Sequence, residues 1–175
     1  MKTVKELMVS LEDYANVSED ASLLDAVIAL EKAQKLPEMD PARPRDRAVM
    51  VMGKNNKAIG KLSMWDVLKG LEPRYNHPID PLSMAANFGF WNPLRNLTEK
   101  ASAVKARDLV RLPEEGERID EEASLDQAVS QLMRGNHLSL LVTRAGEIIG
   151  ILRLSDVFRE VGDMIKSAGT EAATT

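Results

Sequence analysis

The stretch Glu19-Asp20-Ala21-Ser22-Leu23-Leu24-Asp25-Ala26-Val27 recurs, 102 residues on, as Glu121-Glu122-Ala123-Ser124-Leu125-Asp126-Gln127-Ala128-Val129. A second stretch, Ile59-Gly60-Lys61-Leu62-Ser63-Met64-Trp65-Asp66-Val67, recurs 90 residues on as Ile149-Gly150-Ile151-Leu152-Arg153-Leu154-Ser155-Asp156-Val157. Two blocks repeated in the same order mark one structural unit present twice. The offset falls by 12, so the first copy carries about that many extra residues between its blocks. A duplicated unit tends to pack as a pseudo-symmetric pair, and the groove between the copies is a natural ligand site.

Within each copy the elements follow from pattern. Val4, Leu7 and Met8 share one face of a short helical turn. Ser22 and Ser124 cap helices, with Asp25 adding an acidic charge to the first turn of one. Leu23, Ala26, Val27 and Leu30 make an apolar stripe at helical spacing, and Pro37 is expected to end that helix. Ala48 to Met52 is a continuous apolar run, hence a buried strand. Gly53 to Lys57 reads as a hairpin turn and Ala58 to Leu62 as the return strand, followed by a helix from Trp65. The second copy predicts a helix from Ser124 to Arg134 closed by Gly135-Asn136, strands at Leu138–Thr143 and Ile148–Arg153, and a helix from Ser155 to about Lys166.

Charge and composition narrow the function. The 175 residues carry a net charge of −4, which argues against a chain-wide nucleic-acid footprint but not against a local anion pocket. There is no cysteine, which excludes thiolate metal sites and thiol nucleophiles, and only His77 and His137 could serve an imidazole site. No apolar run approaches the ~20 residues of a membrane span, and the N-terminus lacks the apolar core of a signal peptide, so a cytoplasmic location is expected. No nucleophile–base pair, phosphate loop or ligand cluster stands out, and after the second copy these residues leave no room for a catalytic domain; an enzyme is not expected.

The Ala-Ser-Leu helix start, the strand pair, and Gly-x-x-[Ser/Thr]-x-x-Asp opening a helix, twice over, resemble a tandem pair of CBS (cystathionine-β-synthase-type) domains, the Bateman module. The resemblance covers roughly residues 4–71 and 104–165. It implies an α/β (α+β) fold of two βαββα units packed sheet against sheet about a pseudo-twofold axis. It also implies two clefts between the copies suited to an adenosine-containing ligand (AMP, ADP, ATP or S-adenosylmethionine), and a homodimer. The corresponding division is residues 1–71 for the first repeat with an extra loop at 35–46, 72–100 for an inter-repeat segment, 101–166 for the second repeat and 167–175 for a disordered tail. Phe88, Phe90 and Trp91 suggest that the middle segment packs on something.

The site residues follow from the resemblance. Ser63 and Asp66 occupy the positions that contact phosphate and ribose; in the second copy the aspartate is Asp156, but Arg153 stands where the hydroxyl belongs, and Ser155 retains one nearby. Arg153 either pairs with a phosphate or fills the site with its bulk. Helix capping is the competing account of Ser63, Ser155, Asp66 and Asp156. Ser10 and Ala15 are expected to face the cleft closed by Asp156, and Leu112 and Glu117 the cleft closed by Asp66, with Glu117 acidic where an apolar residue belongs. Arg47 and His137 each precede their glycine by 13 residues, where a basic group can reach phosphates; a solvated basic loop and a structural imidazole are the alternatives. Met50, Met52, Met64 and Trp65 are expected to be packing residues, with base stacking as the other use of Trp65. The functional expectation is a stand-alone regulatory module that binds such a ligand and signals to a partner protein. The alternative is a ligand-free dimerisation and interaction scaffold.

Overall fold

The computed structural model describes residues 2–39, 47–71 and 94–173. Its elements are α1 (Val4–Leu7), β1 (Val9–Ser10), β2 (Asn16–Ser18), α2 (Leu23–Met39), β3 (Ala48–Met52), β4 (Ala58–Ser63) and α3 (Met64–Gly70). After these come α4 (Leu97–Ala103), α5 (Ala106–Leu109), β5 (Arg118–Asp120), α6 (Leu125–Gly135), β6 (Ser139–Arg144), β7 (Glu147–Arg153) and α7 (Leu154–Ala173). Short-range chemistry sets the ends. Ser22 and Ser124 accept from the N–H groups of Asp25 and Gln127, at 3.1 and 3.2 Å, to start α2 and α6. Asn136 adopts a left-handed φ of 50° to close α6. The two hairpins turn through Asn56 and through Ala145-Gly146, all at positive φ.

Two sheets result, one ordered β2-β3-β4 and the other β1-β7-β6-β5. In each, a parallel pair (β2 with β3, β5 with β6) adjoins an antiparallel hairpin. The exception to one sheet per copy is β1, which leaves the first copy to pair antiparallel with β7, Val9 opposite Ile151 and Ser10 opposite Gly150. The reciprocal crossing is a bridge between Lys61 on β4 and Arg111. Arg111 lies 102 residues after Val9, and Lys61 lies 90 before Ile151, the offsets of the sequence repeat. The same relation links the bridges Thr3–Ser124 and Ser22–Lys105. Each copy therefore lends the segment that precedes it to the other.

The core explains why β3 and the middle of β6, Leu140 to Val142, are continuously apolar. Val49 and Val51 face a cluster with Leu23, Ala26, Leu30, Leu62 and Val67, joined by Ala106 and Leu109 of the lent helix α5. Leu140 and Val142 face the matching cluster of Leu125, Ala128, Leu132, Leu152 and Val157, joined by Val4 of the lent helix α1. The alternate residues, Met50 and Leu141, point the other way and meet each other with Tyr14 and Ile151 between the sheets. A strand buried on both faces reads as a continuous run, not an alternation. The crossing strands come so close that two glycines are required. A Cβ on Gly150 would lie 2.5 Å from the Val9 carbonyl oxygen, and one on Gly60 would lie 2.8 Å from that of Arg111.

Three expectations are corrected. Helix α2 runs through Pro37 to Met39, so the proline lies within the last turn, where it forfeits a single bond, and helix occupies the start of the expected loop at 35–46. The tail expected to be disordered from Ser167 continues α7 to Ala173. Ser167 and Thr170 donate to the carbonyls of Asp163 and Lys166, both at 2.9 Å, which absorbs their hydroxyls without breaking the helix. Met64 and Trp65 are not core residues: they are 45% and 73% exposed, because the first turn of α3 turns only Val67 inward. Phe88, Phe90 and Trp91 lie outside the described residues.

Candidate functional site

Strand β7 delivers Arg153 to the start of α7, where a hydroxyl would ordinarily cap. Arginine cannot accept from the free N–H groups, and it engages the first-turn carboxylate instead. Its Nε and Nη2 donate to Oδ2 and Oδ1 of Asp156 at 2.6 and 3.0 Å, a bidentate pair. Both side chains are nearly buried, at 12% and 9% exposure. Arg153 forms part of the wall of a cavity of about 450 Å³. Tyr14, Arg47 and Ala48 contribute from the first copy, and Ser139, Ser155 and Phe158 from the second. Tyr14 is fixed by donating its hydroxyl to the Ala48 carbonyl at 2.9 Å. The described residues of this wall include two arginines, Arg47 and Arg153, the second of them paired with Asp156, and no carboxylate.

At the other end the pseudo-symmetric positions are filled differently. Ser63 and Asp66 form a complete capping box: the Ser63 N–H and hydroxyl donate to Asp66 Oδ2 at 2.8 and 2.7 Å, and the Asp66 N–H donates to Ser63 Oγ at 3.3 Å. Asp66 lines a separate cavity of about 330 Å³ with Lys69, Asp108 and Arg111. Behind it, Glu117 is 2% exposed. Arg111 Nη1 and Nη2 donate to its two oxygens at 2.9 and 2.6 Å, and Lys61 Nζ lies 3.5 Å away. Lys61 also donates to the carbonyl and hydroxyl of Ser139 at 3.3 and 3.2 Å. Burial pushes the Glu117 carboxyl up, but Arg111, the Glu114 N–H and Lys61 outweigh it and hold the group below its ordinary value. Burial likewise lowers the Lys61 ammonium, and Glu117 offsets only part of that.

Of the residues expected at the site, Arg47, Arg153 and Ser155 come together in the cavity of about 450 Å³, with Asp156 held by Arg153. Ser10 sits opposite Gly150 on the same sheet, with its hydroxyl on Asp13 at 2.9 Å, and Ala15 packs against the first core; neither is among the described residues of the cavity wall. Leu112 is 68% exposed. His137, the counterpart of Arg47, lines an open depression of about 670 Å³ with Gly116, Gln131 and Arg134. Sequence reasoning missed Lys61, Arg111 and Tyr14. The available signal for Lys61 was its repeat partner, Ile151: a lysine where the other copy is apolar needs a buried anion. The capping account of Ser63 is quantitative. Ser63→Ala is expected to cost about 1 kcal/mol of stability in urea denaturation.

The family model for the CBS domain matches residues 104–163. Those residues are a CBS domain. No curated protein matches the sequence. Solved structures extend the likeness to the fold of almost the whole chain. A hypothetical conserved protein from Geobacillus kaustophilus is 18% identical, with a TM-score of 0.64 and coverage of 93% of this chain and 98% of that one. A CBS domain-containing protein of Bacillus anthracis is also 18% identical, with a TM-score of 0.63 and coverage of 93% and 94%. The CBS domain of a bacterial CNNM/CorC family Mg2+ transporter, solved in complex with ATP, is 15% identical with a TM-score of 0.59, covering 91% and 87%. CBSX2, solved in complex with AMP, is 20% identical with a TM-score of 0.58, covering 94% and 98%. The fold of the chain is thus that of a CBS pair, both copies included. Among the described residues no helix is long and apolar enough to cross a membrane.

Proposed function

We propose that this chain is a regulatory CBS pair, cytoplasmic and without catalytic activity, that binds an adenosine-containing ligand in the Arg153-walled cavity and passes the change to a partner protein. One observation carries the reading. Both copies contribute to one cavity, Arg47 from the first and Arg153 with Ser155 from the second, so a ligand there touches both halves and senses the angle between them. The complexes of the transporter CBS domain with ATP and of CBSX2 with AMP support an adenine nucleotide as the ligand class; S-adenosylmethionine belongs to the same test. The readout to a partner runs through the helices. Trp65 and Leu68 on α3 are 73% and 61% exposed, and Phe158 and Ile165 on α7 are 74% and 66% exposed, apolar surface that fits a homodimer.

Thermal denaturation tests the ligand. A ligand bound only to the folded chain adds about 2.7 kcal/mol at a hundredfold excess over Kd. At least one of AMP, ADP, ATP and S-adenosylmethionine is expected to raise the midpoint. Ser155→Trp, which fills the cavity, is expected to remove that rise. No rise with any of the four supports the second reading, an interaction scaffold, which is favoured by the fact that both aspartates are already engaged, Asp66 by its cap and Asp156 by Arg153.

A further inference from the structure

Lys61 reaches from the first copy to a residue of the second. It lies on β4, and its Nζ donates to the carbonyl and the hydroxyl of Ser139, the first residue of β6, at 3.3 and 3.2 Å. Ser139 is half-buried and lines the cavity of about 450 Å³; Lys61, with its side chain 17% exposed, is not among the described residues of that wall. Glu117, 3.5 Å away, pairs with Lys61, so the group is an ammonium, with three hydrogens and no lone pair to offer. That fixes the direction of the contact. The Ser139 oxygen must accept, and the single hydrogen of the hydroxyl is left to go elsewhere. Among the described residues it goes to no acceptor. The fold does not demand this arrangement. Ala48 begins the equivalent strand, opposite Ser63 as Ser139 is opposite Arg153, and it lines the same cavity. The counterpart of Lys61 is Ile151. One half has apolar residues at both positions, and a buried ion pair is on average no more stabilising than an apolar set of the same size.

We infer that Lys61 is a positioning residue for this cavity: it holds the Ser139 hydroxyl as a hydrogen-bond donor for an anionic oxygen of the ligand. This rests on the nucleotide binding proposed above, with a phosphate as the source of the oxygen. A hydroxyl whose oxygen already accepts from a cation is polarised and donates more strongly. An anion is the acceptor that gains most from such a donor. Lys61 itself stays behind the wall and acts through Ser139. Glu117, in turn, keeps Lys61 charged where burial works against the charge. The first copy thereby sets the chemistry of a wall residue that belongs to the second. Ala48 has no hydroxyl to offer, so of these two equivalent positions only one presents the donor, and a ligand with one phosphate end has one way round to lie.

Isothermal titration of the full chain with ADP and adenosine decides it, using Ser139→Ala, Lys61→Met and the two combined. Ser139→Ala is expected to weaken ADP about tenfold, the worth of one charge-assisted hydrogen bond, and to leave adenosine unchanged. Lys61→Met is expected to do the same. The double variant is expected to be no weaker than Ser139→Ala alone, because Lys61 acts through that hydroxyl. Lys57→Gln, which removes a first-copy lysine paired with Glu147 of the second copy, is expected to leave both ligands unchanged. Lys61→Ile with Glu117→Ala takes the place of Lys61→Met should that variant fail to fold. A double variant weakened about a hundredfold makes Lys61 an independent charge, and equal losses of ADP and adenosine make its role structural. Either result overturns the inference, as does ADP bound to Ser139→Ala as tightly as to the wild type, and all three leave the nucleotide reading standing. A wild type that binds none of AMP, ADP and ATP overturns that reading, and the inference with it.

Discussion

Replacing Gly150 with valine lowers the stability of the chain by about 3 kcal/mol, near the upper end for overpacking a closed site. The reason is backbone, not side chain. The Cβ would sit 2.5 Å from the Val9 carbonyl oxygen and 3.2 Å from the Met8 sulfur, and a carbonyl in a strand cannot retreat as a flexible side chain can. To relieve the clash β1 must leave β7, taking Val4 out of the second core. Gly60→Val is expected to be nearly as severe, at 2.8 Å from the Arg111 carbonyl oxygen. Gly162→Ala is the control: nothing lies within 4 Å of the added carbon, and it is expected to stabilise α7 by about 0.5–1 kcal/mol. Urea denaturation measures all three. A Gly150→Val chain as stable as the wild type would mean that β1 does not cross to the second copy.

Glu117→Ala is expected to cost about 3 kcal/mol, the low end for breaking a buried ion pair, since Arg111 is 50% exposed and recovers water while Lys61, at 17%, does not. The repeat supplies the compensation. At the equivalent positions in the other half, Lys61 is Ile151 and Glu117 is Ala15. Lys61→Ile combined with Glu117→Ala therefore installs a combination that the same fold already accommodates, and it is expected to recover stability to within about 1 kcal/mol of the wild type. Simple additivity of the two changes would show that the pair is not coupled. Acid gives an independent check. The Glu117 carboxyl is held below its ordinary value of 4.5, so its stabilisation is complete above that pH and is lost as the pH falls through the folded value. The stability gap between wild type and Glu117→Gln is expected to be flat above pH 4.5 and to close below it.

The repeat made most of this fold legible. Strand β3 and the Leu140–Val142 stretch of β6 could be read because a strand packed on both faces is continuously apolar there, and the helix starts because Ser22 and Ser124 carry local capping chemistry. What could not be read is what depends on distant partners. Strand β1 has two residues, too few for a period, and its partner Ile151 lies at the far end of the chain. Glu117 was visible as an acid in an apolar place, but its neutralisation by Lys61 and Arg111 needs the register of the crossing segments. Pro37 and the residues after Lys166 misled because local propensity was weighed without the rest of the helix. At the site, Arg153 was legible as a departure and its two uses as alternatives. Only geometry shows it closed on Asp156.

A crystal structure of the chain grown with ADP tests the central claim most directly. The account predicts nucleotide in the cavity walled by Arg47 and Arg153, in contact with both copies, and the Asp66 cap unbroken. Nucleotide bound instead against Asp66, or none bound in the cavity, would contradict it.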